Sequence, residues 1–176
     1  MSDVIVRVRT KYRWPPLQLN FWLFVMLVGS CTVLGINAYF VSVQDQLRLG
    51  IPWYFPYWIT SASLALVFVL VMLYLISNRQ LLPGIVIMGS FVLFVLWMVG
   101  LIVISIQLWG PNGVSGSCNL YVDEQESTGP NVNTLAYLQQ HSVCQSWQAQ
   151  WAFQLVGCVF LLWMMVMAYQ VYQNNF

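Results

Sequence analysis

The chain has 176 residues, of which 60% are hydrophobic and only 6% charged, with a formal net charge of +1. Soluble domains carry about 25% charged residues. So few charges cannot cover a water-exposed surface, and lipid must cover much of this one. The net charge of +1 itself says nothing about nucleic acid, and no nucleic-acid partner is expected; what is informative is where the charges sit.

Residues 1–16 form a basic arm. Arg7, Arg9, Lys11 and Arg13 alternate with apolar residues up to Trp14. Such a segment can lie on an anionic inner leaflet, where each basic residue gains about 1 kcal/mol. These four residues are therefore the candidate anionic-lipid contacts. They equally serve as an ordinary positive-inside signal.

Four apolar stretches follow, near 17–40, 57–77, 84–108 and 148–172, and none contains Asp, Glu, Lys, Arg or His. A spanning helix needs about 20 largely apolar residues, so each is long enough to cross a bilayer. The first is too long for a cleaved signal peptide and lacks a small-residue cleavage site, so it is read as a retained anchor. The basic arm and Arg79, between the second and third stretches, place both termini in the cytoplasm. Residues 173–176 form a minimal cytoplasmic C-terminus. Trp14, Trp53, Trp58, Trp109, Trp147 and Trp151 fall at the edges of the stretches and are the expected interfacial anchors. Trp97 and Trp163 lie near mid-membrane, where packing is their expected role.

The turn after the second stretch is short, so the second and third helices must be antiparallel neighbours. Pro83 suits the first turn of the third helix, where its missing N–H is not needed. Asp45 and Arg48 fall in the first outer loop. The second outer loop runs from about Gly110 to Trp147, longer than ordinary connections. It holds an acidic stretch (Asp123, Glu124, Glu126) and a segment, Asn133–His141, with the pattern of a short helix.

Four cysteines allow three complete pairings. Cys31 and Cys158 fall inside spans, whereas Cys118 and Cys144 share the second outer loop, in an oxidising compartment. A Cys118–Cys144 disulfide is expected, closing a loop of about 27 residues worth roughly 3.5 kcal/mol by chain entropy. The alternatives are two free thiols, or a metal site with His141 that would lack a fourth ligand. Cys31 and Cys158 are expected to pack as small apolar side chains.

Signs of chemistry are sparse. The spans lack the ionisable residues that mark proton relays, ion paths or catalysis in membranes. There is no HExxH, no phosphate-cradling glycine loop and no Ser-His-Asp set. No enzyme activity, catalytic residue, metal site, cofactor or small-molecule substrate is expected, with a bound lipid or sterol left open. Among the polar span residues, Gln154 is the deepest amide and is expected to make an interhelical hydrogen bond. Small residues (Gly29, Ser30, Cys31 and Gly35 in the first span; Gly89, Ser90 and Gly100 in the third; Gly157 in the fourth) suggest close helix contacts.

Three segments carry a family resemblance. They are the third span from Leu82-Pro83-Gly84 to Trp97-Met98-Val99-Gly100, the pair Cys118 and Cys144, and Cys144-Gln-Ser-Trp-Gln-Ala-Gln-Trp-Ala-Phe153 leading into the fourth span. With the four-span layout over residues 17–172, they resemble the MARVEL-domain membrane proteins, most of all the small fungal members. The chain departs from those relatives in its basic N-terminal arm and near-absent C-terminal tail. The resemblance implies a non-enzymatic role in organising regions of a plasma or secretory-pathway membrane, through lateral association with lipids, with itself or with other integral proteins. The alternative expectation is an accessory subunit of a larger plasma-membrane assembly, such as a pump or cell-wall polysaccharide synthase, which the nearly tail-free chain favours. A pore or transporter ranks third. The expected fold is an all-α transmembrane four-helix bundle with a disulfide-closed second extracellular loop.

Overall fold

A computed structural model describes residues 14–46, 48, 50–78, 81–111, 113–118 and 132–173, with the backbone alone for 117 and 132–140. Every regular element among them is helical: α1 (Pro16–Gln46), α2 (Tyr54–Ser77), α3 (Pro83–Trp109), a short α4 (Val114–Cys118) and α5 (Val132–Gln173). At about 1.5 Å per residue, each of the four long helices exceeds the ~30 Å hydrocarbon layer. All four are long and apolar enough to cross a membrane, which marks a multi-pass membrane protein.

The helix starts follow local chemistry. Proline opens α1 and α3, where its missing N–H costs nothing. Leu82, before Pro83, is extended (φ −86°, ψ 126°), as the proline ring requires of its predecessor. Two boundaries differ from the sequence reading. α1 runs on to Gln46, so Asp45 is helical. α5 begins at Val132 rather than near Gln148, so the expected short helix at Asn133–His141 is its first turns and Cys144 lies within it. The residues from 132 to 147 are too polar to register as a span, yet nothing in them breaks a helix.

The long helices close a ring. α1 touches α2, α2 touches α3, α3 touches α5 and α5 touches α1, while the pairs α1/α3 and α2/α5 lie across the ring. α3 and α5 make the most extensive contact, for a reason visible in their glycines. Gly157 lies beneath the indole of Trp97, whose six-membered ring occupies the space a Cβ would need. At Gly100, a Cβ would come within 3.2 Å of the Trp58 indole nitrogen and 3.3 Å of Gln154 Nε2. Small residues permit such approach where no aqueous driving force exists between helices.

Two apolar clusters fill the interior. The larger includes Trp22, Met26, Val33, Ala65, Met72, Trp97, Leu161 and Met164. The smaller consists of Phe40, Phe55, Trp58, Ile104, Leu108 and Trp147. Large apolar side chains, among them Phe24, Leu70, Met88, Ile102 and Val159, also cover the outward faces. In water that surface would be prohibitive, whereas in lipid it is the expected exterior.

Candidate functional site

The expected site residues fall into three groups. The basic residues Arg7, Arg9, Lys11 and Arg13 lie outside the described residues. Cys118 and Cys144 are joined by a disulfide, with Cα atoms 6.0 Å apart. The bond ties the end of α4 to α5 one turn above Trp147, so it braces a helix as well as closing a loop. Cys31 and Cys158 are free, the first exposed on the outside of α1 and the second buried.

The tryptophans divide. Trp53 and Trp109 are 68% and 57% exposed. Trp109 meets Trp151 edge to face at 4.9 Å, and Trp151 Nε1 donates to Ser105 Oγ at 3.1 Å. Trp14, half-buried, donates from Nε1 to the Leu81 carbonyl at 3.4 Å, tying the start of α1 to the α2–α3 connection. Trp58 and Trp147 are not lipid-facing anchors, being only 0% and 7% exposed. Trp58 lies near the start of α2, whereas Trp147 falls well inside α5 because that helix begins early, and both face inward. Trp147 stacks on Phe40 at 5.5 Å, and Trp58 meets it edge to face at 6.0 Å. Trp97 is wholly buried, and Trp163 packs half-buried against the larger cluster.

Spacing alone did not reveal how the polar span residues are sorted. Ser30, Asn37, Ser61, Ser90, Gln150 and Gln154 all face the interior, while Asn20 and Thr60 face out. The interhelical amide bond runs from Gln150 Nε2 to Asn37 Oδ1 at 3.3 Å. Asn37 Nδ2 in turn donates to its own helix at the Val33 carbonyl, 2.7 Å away. The bond expected of Gln154 is not made: its Oε1 and Nε2 have no hydrogen-bond partner among the described residues. Gln150, one turn above, reaches α1 instead. Three aromatic donors add interhelical bonds to main-chain carbonyls: Trp22 Nε1 to Phe160 at 2.8 Å, Tyr57 Oη to Leu96 at 2.8 Å, and Trp58 Nε1 to Gly100 at 3.3 Å. The small residues of α1 divide as well. Gly29 and Ser30 face the core, whereas Cys31, Gly35, Ala38 and Ser42 line its outward face.

Among the described residues there is no group of three or more His, Cys, Asp and Glu side chains placed to hold a metal ion. Comparison with protein-family models, curated proteins and solved structures finds no match. The distinguishing features are thus a buried uncharged polar layer, an aromatic end braced by a disulfide, and an apolar exterior.

Proposed function

We propose that this protein is a non-enzymatic membrane organiser, a transmembrane four-helix bundle that associates laterally with lipids and with itself or other integral proteins. In this reading it is a MARVEL-like protein of the plasma membrane or secretory pathway. Both termini are cytoplasmic, the basic arm lies against anionic lipid, and α4 and the disulfide are extracellular. The observation that carries the reading is the division between inside and outside. Large aromatic side chains fill the interior and uncharged hydrogen bonds lock it, while all four long helices turn large apolar side chains outward. Such a body offers its sides to the membrane.

A second reading, an accessory subunit held by one partner, draws on the outward face of α1. Cys31, Gly35 and Ala38 are exposed there, and open space surrounds Gly35. Small side chains let a neighbouring helix approach closely in lipid.

Purification in mild detergent followed by native mass analysis separates the two. The organiser reading predicts a spread of lipid-bearing monomers and self-associated species. A single partner at fixed stoichiometry replaces it with the subunit reading, and ion flux through liposomes containing the pure protein overturns both.

A further inference from the structure

The buried amides share one stretch of the interior. The Asn37–Gln150 bond and the Phe40–Trp147 stack fix α1 against α5. The Trp58 bond to Gly100 fixes α2 against α3. Gln154 at Gly100 and Trp97 over Gly157 fix α3 against α5. These contacts set Gln154 at the level of Gly100 and Gly157 at that of Trp97, with Gln150 one turn further along α5 from Gln154. The aromatic cluster of Phe40, Phe55, Trp58 and Trp147 closes the stretch on one side. Trp22, Met72 and Met164 belong to the apolar packing on the other.

Within this layer Gln154 Oε1, Gln154 Nε2, Gln150 Oε1 and Trp97 Nε1 have no partner among the described residues, and all three residues are 0% exposed. The serines are a different case. The hydroxyls of Ser30, Ser61 and Ser90 can turn to a carbonyl of their own helix, as Ser63 and Ser105 do. A glutamine amide deep on α5 and an indole N–H have no such local recourse. Each buried polar atom left unpaired costs about 1–3 kcal/mol, a sum that a marginally stable fold does not carry.

Partners for these atoms must accept from Nε2 and the indole and donate to the Oε1 atoms, bear no charge and be very small, because no part of these side chains reaches the surface. Water satisfies every condition, since a buried water takes about three hydrogen bonds from otherwise unpaired groups. We propose that Gln150, Gln154 and Trp97 form a binding site for ordered water inside the bundle. The site bridges α3 and α5 at membrane depth and is sealed at one end by the aromatic cluster.

Millisecond X-ray radiolysis of the whole protein in detergent micelles, read by mass spectrometry, tests this. Radicals generated from bound water oxidise the side chains that touch it, however deeply they lie. Trp22 is the internal control: it is equally buried, and its indole is bonded to Phe160. Trp97 should be oxidised more than Trp22 if it contacts ordered water, since buried water lies within hydrogen-bond reach of the groups it serves. Equal, low oxidation of the two overturns the proposal without any variant. In Gln154→Met, or in Gln154→Leu if the first does not fold, Trp97 should fall to the level of Trp22. Undiminished oxidation of Trp97 in either folded variant overturns the assignment to Gln154.

Discussion

Substituting Gly157 by alanine tests the α3–α5 contact directly. The new methyl group would enter space held by Trp97, whose Cη2 would lie 3.1 Å away with two further ring atoms closer still. Trp97 is wholly buried, so it cannot swing out to the surface to make room. Overpacking of this kind costs about 1–3 kcal/mol. Against it stands the helix-propensity gain of Gly→Ala, about 1 kcal/mol, so the raw effect understates the clash. Gly35→Ala supplies the reference. Gly35 is also mid-helix, but a Cβ there meets nothing within 4 Å. The propensity gain is common to both variants, so their difference isolates packing. At about 2–4 °C per kcal/mol for a chain of this size, Gly157→Ala should melt roughly 2–12 °C below Gly35→Ala. Thermal unfolding in one detergent, followed by near-ultraviolet circular dichroism, reads the gap. Equal melting temperatures would refute the close approach of α3 and α5 at this level. Combining Gly157→Ala with Trp97→Leu should recover part of the loss, because contacting residues couple.

Three other outcomes follow from the same structure. Thiol labelling of the denatured protein should modify only Cys31 and Cys158 before reduction and Cys118 and Cys144 as well after it, and Cys118→Ser should cost about 2–4 kcal/mol in thermal unfolding. Asn37→Leu leaves Gln150 Nε2 without its acceptor and should destabilise by ~0.6–2 kcal/mol, with a double-mutant cycle against Gln150→Leu showing coupling of the same sign. Trp58→Phe removes a buried indole bonded to Gly100 and should lower the melting point, whereas Trp53→Phe at an exposed position should leave it nearly unchanged.

Much of the fold was readable in the order of residues. Four charge-free apolar runs are long enough to be helices in lipid, Pro83 marks a helix start, and only two cysteines lie outside the runs. Direction around each helix was harder to read. When both the lipid and the core are apolar, a span has no strong apolar face, so Trp58 and Trp147 look like Trp53 and Trp109 until neighbours are placed. The same degeneracy hid the sorting of Ser30 from Cys31 and the choice of Gln150 over Gln154 as the partner of Asn37. Gln150, Gln154 and Gly157 recur at helical intervals and so share one face of α5, but spacing alone does not say which way that face turns. The continuity of the Asn133–His141 helix with the fourth span is hidden because residues 132–147 are polar, and hydropathy reports lipid exposure rather than helicity.

The central claim is that four helices cross the bilayer with α4 and the disulfide on the side opposite both termini. The chain has no Asn-x-Ser/Thr acceptor of its own, so engineered acceptors can report side without background. Expression in microsomes should glycosylate an acceptor inserted between Cys118 and Val132 and leave one appended after Phe176 unmodified. Modification of the C-terminal acceptor, or protection of the one between the cysteine and α5, would contradict the account.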